Sequence, residues 1–307
     1  MDSIILEAKG ITKKYRQTLA LDNVELKLQK GKIYGFIGQN GAGKTTFLRM
    51  VTGLAFPTSG ELSLWGKTGE KGLQEQRKRI GCIIEGPALY PGMTAYQNLE
   101  VQRLQRGIPD KSIIDKTLKM VGLADTGRKK VRNFSLGMKQ RLGIAIALLN
   151  TPEFLILDEP INGLDPQGIV DVRNLIKSLN KEYGMTIIIS SHILEELYNT
   201  ATDFILIDHG RIIEELSEEE LNEKCKQHIA IKATDTNKAI MVLEEKLHTD
   251  KFKVMPDNTI QLYDFLNDTE KVAVELSQNG VIVTGLTVTG DTLEQYFLDK
   301  IGGGKRD

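Results

Sequence analysis

The sequence predicts an α/β fold with a largely parallel sheet, followed by a smaller α+β module. Apolar strands alternate with amphipathic helices as far as about residue 215, a pattern typical of parallel sheets covered by helices. One of these strands leads through a glycine-rich loop directly into a helix. The composition then changes near Ser217, so we expect domains over residues 1–215 and 216–307, a division that suits a chain of 307 residues.

The first elements are strands. Ile4–Leu6 is apolar, Val24–Leu28 alternates with a period of two, and Ile33–Ile37 reads as a buried strand. Lys44–Leu54 then has apolar residues at helical spacing.

The middle of the first domain is mostly helical. Its predicted helices are Tyr96–Leu104, Ser112–Val121 and Lys139–Leu149, which suggests a helical subdomain over about residues 88–150. Strands return afterwards, with helices between them. The strands are Phe154–Leu157, Thr186–Ser190 and Phe204–Ile207, and the helices are Gln167–Tyr183 and Ile193–Asn199.

The second domain shows a different order of elements. Ser217–Glu220 resembles a capped helix start, and we interpret the acids Glu214–Glu220 as its solvated beginning. The elements that follow have the order β-α-β-β-α-β, which could close as a split-βαβ, ferredoxin-like module. They are His228–Lys232, Asn237–Leu247, Phe252–Met255, Thr259–Tyr263, Thr269–Gln278 and Val281–Val288, with a last helix over Thr292–Ile301.

Composition excludes several classes of function. The net charge of −1 argues against a protein that binds nucleic acid mainly through its phosphates. Cys82 and Cys225 are too few for a disulfide framework or a cysteine-rich zinc site. No apolar run approaches the roughly 20 residues of a membrane span. We therefore expect a soluble chain that reaches a membrane only through a partner.

The loop between the third strand and the first helix carries the strongest motif. It fits G-x-x-x-x-G-K-[ST] in the strand–loop–helix context of a phosphate-binding loop, against which a chance glycine-rich turn is the alternative. Its residues are Gly38, Gln39, Asn40, Gly41, Ala42, Gly43, Lys44 and Thr45, followed by Thr46. The glycines let backbone N–H groups face phosphates, Lys44 would reach the β- and γ-phosphates, and Thr45 would bind Mg²⁺.

Two acids end the strand Phe154–Leu157. Asp158 would hold Mg²⁺, directly or through water, and Glu159 would orient or deprotonate an attacking water. For the acidic pair taken alone, a solvated turn is an equally good interpretation. Together with the phosphate loop motif, the catalytic interpretation is favoured. His192 follows another apolar strand at its carboxyl end, where parallel sheets bind ligands, so we expect it to face the γ-phosphate.

The segment Phe134–Arg141, with the sequence F-S-L-G-M-K-Q-R, resembles the signature of the nucleotide-binding subunits of ABC transporters. Its Ser135 lies 23 residues before Asp158, which is the order and spacing of that family. The resemblance covers residues 1 to about 215 and implies an ABC-type domain, a P-loop NTPase with a RecA-like core and a helical subdomain.

The resemblance also implies roles for single residues. Tyr15 matches the aromatic residue that stacks on adenine, with simple packing as its alternative. Glu85 stands where most members carry a glutamine that touches Mg²⁺ and the membrane partner, although it could be a surface acid.

Four further positions match residues that act across a dimer or at the γ-phosphate. Ser135 and Gly137 would contact the γ-phosphate of the nucleotide held by the other protomer. Asp165 would couple the two sites, and His192 would be the switch histidine.

Several departures from the common pattern indicate a branch of the family. Leu136 and Met138 replace the usual glycine and glutamine of the signature, and Glu85 replaces the usual glutamine. Together with Ile84–Pro91 and the terminal segment Asp291–Leu298, they resemble the bacitracin and lantibiotic resistance or immunity branch.

The function implied is an ATPase subunit that uses ATP and Mg²⁺ to power export or removal of a peptide antibiotic. Its partners would be a separate transmembrane permease and a second ATP-binding subunit, giving a homodimer at the cytoplasmic face of the cell membrane. The alternatives are a small-molecule drug exporter, a soluble non-transport ABC ATPase and a non-catalytic ATP-gated module. An unrelated phosphate-loop NTPase is disfavoured by Ser135–Arg141.

Overall fold

A computed structural model describes residues 3–225, 227–290 and 293–302 of the chain. The chain divides into two compact units, Met1–Glu218 and Glu219–Asp307. Each unit has an apolar core of its own.

The first unit contains the alternating strands and helices expected for an α/β domain. Its strands are β1 (Ile4–Tyr15), β2 (Thr18–Gln29), β3 (Ile33–Ile37), β4 (Ser59–Leu64), β5 (Ile80–Ile83), β6 (Phe154–Asp158), β7 (Thr186–Ser191), β8 (Asp203–Asp208) and β9 (Arg211–Ser217). Its helices are α1 (Lys44–Thr52), α2 (Gly69–Arg77), α3 (Ala95–Gln105), α4 (Ile113–Met120), α5 (Leu136–Leu148), α6 (Pro166–Tyr183) and α7 (Leu194–Tyr198).

A six-stranded sheet with the order β5-β6-β7-β3-β8-β9 forms the centre of this unit. The pairs from β5 through β8 are parallel, whereas β9 pairs antiparallel with β8 at one edge. Every residue of β3, β6 and β7 is buried, which explains why these strands are continuous apolar runs. The carboxyl ends of β3, β6 and β7 therefore meet at one edge of the sheet.

A second, antiparallel sheet with the order β2-β1-β4 belongs to the same unit. Its inward side chains, such as Leu6 and Leu28, share one apolar core with Phe47 of α1 and Phe36 and Phe154 of the six-stranded sheet. This shared core fixes α1, and with it the loop that precedes α1.

The helices α3, α4 and α5 lie between β5 and β6 in the chain. A capping box starts α3, in which Thr94 accepts a hydrogen bond from the N–H of Gln97 and the Gln97 side chain accepts one from the N–H of Thr94. Helix α5 begins at Leu136, three residues earlier than the predicted Lys139, because the Ser135 side chain accepts a hydrogen bond from the N–H of Met138 as its N-cap.

The region around Ser217 differs from the sequence prediction. Glu214 and Glu215 lie in strand β9, not in the solvated start of a helix, because β9 pairs with β8 along its length. The helix α8 (Glu218–Cys225) starts directly after that strand.

The second unit has the predicted order of elements. They are β10 (His228–Ala233), α9 (Thr236–Glu245), β11 (Phe252–Val254), β12 (Ile260–Leu262), α10 (Thr269–Gln278), β13 (Val283–Thr289) and α11 (Leu293–Gly302). The sheet order β11-β12-β10-β13 with antiparallel neighbours is that of a split-βαβ module. Thr292, the predicted start of the last helix, and Asp291 lie outside the described residues. No helix in the described part of the chain is both long and apolar enough to cross a bilayer.

Candidate functional site

The glycine-rich loop joins the buried end of β3 to the first turn of α1, as the motif predicted. Gly43 is the N-cap of α1 and has φ 112°, a backbone conformation that side chains with a Cβ rarely adopt. A Cβ at Gly43 would lie 2.7 Å from the carbonyl oxygen of Ala20 and 2.8 Å from Leu21 Cδ2. The loop therefore needs glycine here both for its turn and for its close approach to β2.

Lys44 lies inside this loop and is only 6% exposed. Its Nζ donates hydrogen bonds to the carbonyl oxygens of Gly38 at 2.5 Å and Gln39 at 3.2 Å. Burial lowers the pKa of the Lys44 ammonium, and the carboxylates of Glu159 and Asp158 oppose that effect. A buried cation at a helix N-terminus is a strong binding site for anions such as phosphate.

Asp158, at the end of β6, connects the start of α1 with the end of β7. Its carboxylate accepts hydrogen bonds from Thr45 Oγ1 at 2.9 Å and from Ser190 Oγ at 2.5 Å. The same Ser190 Oγ accepts a hydrogen bond from the N–H of Glu159 at 3.0 Å. Ser190 is also the register partner of both Asp158 and Phe36 in the parallel sheet. The sheet register thus aligns the loop, the acids and the serine.

Glu159 and His192 form the outer part of this group. His192 Nδ1 lies 2.9 Å from Glu159 Oε2, and both side chains reach solvent. Glu159 has φ 50°, in the left-handed region where non-glycine residues are uncommon. Strained backbone of this kind is concentrated at functional sites, and here it turns the carboxylate away from the strand toward His192.

The oxygen donors at this edge suit a hard divalent cation. A hydroxyl and a carboxylate, Thr45 and Asp158, already lie together, and Mg²⁺ is commonly bound by one or two protein oxygens plus phosphates and water. In the described part of the chain, no three His, Cys, Asp or Glu side chains gather as a complete metal site. The group therefore fits Mg²⁺ that arrives with a phosphate ligand.

The signature residues lie in a second group. Ser135 caps α5, and Asp165 caps α6 by accepting a hydrogen bond from the N–H of Gly168 at 3.1 Å. The two helix starts approach closely, since a Cβ at Gly137 would lie 3.4 Å from Gly168 Cα. In the chain as described, no hydrogen bond links Ser135 or Asp165 to the group around Asp158. Leu136, the first residue of α5, is 51% exposed.

Tyr15 and Glu85 lie apart from both groups. Tyr15 ends β1 at a hairpin, is 43% exposed, and has Lys13 Nζ 4.8 Å from its ring centroid. Glu85 follows β5 with φ 62° and forms an ion pair with Arg49 of α1.

Sequence reasoning missed two contributors. Ser190 was seen only as the end of a strand, although a serine aligned with Asp158 in a parallel register could have suggested the contact. Arg49 lies four residues after Thr45 and therefore on the same face of α1. Nothing local in the sequence indicates that it pairs with Glu85.

Comparison with known proteins decides the family. A sequence model described as ABC transporter matches residues 21–162. Over 302 residues the chain is 42% identical to the bacitracin transport ATP-binding protein BcrA of Bacillus licheniformis, and the match covers 98% of this chain and 99% of that protein. The chain belongs to the ABC transporter family of ATP-binding proteins. This confirms the resemblance carried by Phe134–Arg141.

Other members of the ABC transporter family agree with this assignment. The lantibiotic transport ATP-binding protein SrtF of Streptococcus pyogenes is 46% identical over 210 residues, covering 68% of this chain and 89% of that protein. The dimeric, post-hydrolysis structure of the ATP-binding cassette MJ0796 bound to ADP and Pi superposes with a TM-score of 0.63 and 26% identity, covering 70% of this chain and 99% of that one.

Membership of this family identifies ATP as the ligand of the phosphate loop. The first unit is an ABC-type P-loop NTPase domain that binds ATP, as predicted, and the chain is an ATP-hydrolysing subunit of an ABC transporter. Its family relatives are subunits of transporters, so its partners include a membrane permease.

Proposed function

We propose that this ABC subunit powers the export or removal of a bacitracin- or lantibiotic-like peptide through a separate permease. The observation that carries the proposal is the similarity to a bacitracin transport ATP-binding protein along practically the whole chain, second unit included. The similarity to a lantibiotic transport protein supports the same class of substrate. The altered signature residues Leu136 and Met138 and the glutamate at position 85 are further support.

The hydrolytic step is assigned to the group around Asp158. ATP phosphates occupy the loop Gly38–Thr46, where Lys44 stabilises the charge of the transferring phosphoryl group. Thr45 and Asp158 would hold Mg²⁺, which would supply positive charge to the phosphates.

The proton of the attacking water goes to Glu159. Its carboxylate accepts the proton as the water oxygen bonds to the γ-phosphorus and the bond to the β-phosphate oxygen breaks. His192 fixes the Glu159 carboxylate through the 2.9 Å contact and faces the γ-phosphate. The products are ADP and phosphate.

A second copy of the chain completes each site. Ser135 and Gly137 stand at the start of α5, where N–H groups and the helix dipole favour an anion. They form no hydrogen bond to this chain's own Asp158 group in the described structure, which supports a role toward the γ-phosphate held by the partner. The dimer of the MJ0796 cassette supports such a pairing, in which Asp165 couples the two sites.

The remaining predicted residues contact the adenine ring of ATP or the permease. The exposed ring of Tyr15 is available to stack on adenine. Glu85 and the segment Tyr90–Leu104 face the permease, which holds the ATPase at the cytoplasmic side of the membrane. Glu85, now paired with Arg49, would be a further ligand for Mg²⁺.

Survival of a deletion strain tests the substrate. The gene is deleted in its host and restored as wild type or as Glu159→Gln, and survival is measured against bacitracin, lantibiotics and small hydrophobic drugs. We expect sensitivity to a peptide antibiotic that only the wild-type chain rescues.

The other results of this experiment decide between the alternatives. Sensitivity confined to small drugs would replace the peptide substrate by a drug while keeping the transporter. Unchanged survival against every compound, with the chain absent from washed membranes, would favour a non-transport ABC ATPase.

A further inference from the structure

A cavity of about 370 Å³ lies at the edge of the six-stranded sheet opposite the phosphate loop. Lys30, Glu153 and Met185 line it, and each comes shortly before one of the parallel strands β3, β6 and β7. The ATP site follows the carboxyl ends of these same strands. Because a five-residue strand such as β6 spans about 17 Å, the cavity is separate from the ATP site.

The walls of the cavity are largely apolar. Ile113 and Met120 of α4 form one side, and Leu148, Pro152 and Met185 line it from the ends of α5 and the two loops before β6 and β7. Its volume lies within the range of small-molecule sites, roughly 300–1,000 Å³. The two methionines are unbranched and polarisable, so these walls can adapt to a flexible apolar chain.

One polar group inside the cavity has no partner. Thr117 is 2% exposed, and in the described structure its hydroxyl makes no hydrogen bond. In the described part of the chain, the polar side-chain atoms that are both fully enclosed and unpaired are Trp65 Nε1, Arg141 Nε and Arg173 Nε, so the Thr117 hydroxyl is not fully enclosed. A side chain this buried that still reaches solvent does so through the cavity it lines. Its hydroxyl is therefore available to a ligand.

Two lysines, Lys30 and Lys116, and one glutamate, Glu153, line the same cavity. Lys30 Nζ is 3.6 Å from a Glu153 carboxylate oxygen, and Lys116 Nζ is 3.7 Å from an Asp110 carboxylate oxygen. Both distances exceed that of a hydrogen bond, so each ammonium group can still donate to a ligand. The carboxylate of Glu153 is already held by Arg79 at 2.7 Å. The cavity thus offers a hydroxyl and two ammonium groups to an anion, beside apolar walls.

We propose that this cavity binds a medium-chain fatty acid. The carboxylate accepts hydrogen bonds from Thr117 Oγ1 and from the ammonium groups of Lys116 and Lys30. The acyl chain lies along Ile113 and Met120 and the apolar residues opposite. A ligand with an anionic head and a single flexible tail matches the ammonium groups and the apolar walls of the cavity. The site goes beyond the proposed transport function.

The test compares three ligands that share a ten-carbon tail and differ in their head groups. Decanoate, decanol and decylamine are titrated into the purified full-length chain by calorimetry, below the concentrations at which they form micelles. We expect saturable binding of decanoate, weaker binding of decanol and none of decylamine.

Variants of α4 locate the binding site. Thr117→Val keeps the shape and removes the hydroxyl, and we expect it to weaken decanoate binding about tenfold. Lys116→Met should weaken it about threefold, since exposed charge pairs contribute little. Lys119→Met, an exposed lysine on α4 that does not line the cavity, is the matched control and should bind as wild type does.

Three results would overturn the proposal: no saturable decanoate binding, equal binding of decylamine, or unchanged binding in both Thr117→Val and Lys116→Met. If Thr117→Val fails to fold, as judged by its circular dichroism melt, the exposed Lys116→Met decides alone against Lys119→Met.

Discussion

Ser190 shows how a single buried hydroxyl can organise a catalytic edge. It donates to Asp158 and accepts from the N–H of Glu159, so it fixes the proposed metal ligand and the backbone of the proposed base together. A hydrogen bond to a charged group contributes about 1.5–3 kcal/mol, and losing it leaves Asp158 with fewer constraints.

We therefore expect Ser190→Ala to lower ATP turnover about tenfold or more at fixed Mg²⁺. Binding of ATP without Mg²⁺ should stay close to wild type, because Lys44 and the loop are untouched. Turnover and nucleotide binding are measured for Ser190→Ala and for Ser178→Ala, whose hydroxyl bonds Glu182 on the surface of α6. Equal turnover in both variants would contradict the role given to Ser190.

The ion pair between Arg49 and Glu85 gives a second prediction at this scale. If Glu85 reaches Mg²⁺, then Arg49 competes with the metal for the same carboxylate. Arg49→Ala should lower the Mg²⁺ concentration for half-maximal turnover about two- to fivefold, since exposed pairs contribute up to about 1 kcal/mol. Glu85→Ala should raise it.

The double variant separates this competition from a merely structural pair. Arg49→Ala combined with Glu85→Ala should behave as Glu85→Ala alone, because Arg49 acts through Glu85. Glu61→Ala, which removes an exposed carboxylate from β4, is the control. A Mg²⁺ requirement that Arg49→Ala leaves unchanged would place Glu85 outside the metal site.

At the scale of the element, the loop before α1 depends on individual glycines for different reasons. Gly41 has φ 85° and open space around its Cβ position, whereas Gly43 has φ 112° and close neighbours. Substitution of Gly41 costs only backbone strain of about 1–2 kcal/mol. Substitution of Gly43 adds a collision with β2.

Gly43→Ala should thus abolish ATP binding and lower the melting temperature, while Gly41→Ala should retain measurable binding. Nucleotide titration and thermal unfolding of the two variants check this. Comparable loss of binding in both would mean that the strain at φ, and not the approach to β2, governs the loop.

The elements also show what the sequence could and could not predict. Strand β3 has the predicted bounds because a strand buried on both faces is one apolar run. The start of α5 was placed late because Ser135, Leu136 and Gly137 break the helical pattern of apolar residues, and only the capping hydrogen bond reveals the true start. Strand β9 was missed because Glu214 and Glu215, one on each face, interrupt the pattern of apolar residues.

The residues of the site likewise divide into those that a local sequence motif predicts and those that it does not. Lys44, Thr45 and Asp158 could be predicted, because each belongs to a local motif whose chemistry requires that residue type. The pairing of Glu85 with Arg49 could not, since the residues are 36 positions apart and meet only through the packing of β5 and α1. Contacts of this kind depend on tertiary structure.

At the scale of the whole molecule, the chain joins two separately packed units. The second unit has a core of its own, which includes Ile229, Leu243, Leu262 and Leu276. A unit with its own core is expected to unfold by itself.

Leu276→Ala should destabilise the second unit by about 2–5 kcal/mol and leave ATP binding by the first unit intact. Hydrogen exchange measured by mass spectrometry would show faster exchange confined to residues 219–307. Leu298→Ala, at a leucine that is 56% exposed, is the control and should change exchange little. Faster exchange throughout Met1–Glu218 would show that the two units unfold together.

The central claim is that this chain hydrolyses ATP at the group formed by Thr45, Asp158, Glu159 and His192. Phosphate release by Glu159→Gln tests it most directly, with Glu195→Gln, a change at an exposed glutamate on α7, as the matched control. We predict that Glu159→Gln binds ATP normally and loses turnover at least about 100-fold, because a positioned general base contributes that much or more. Turnover of Glu159→Gln equal to that of wild type and Glu195→Gln would contradict the assignment of Glu159 as the base.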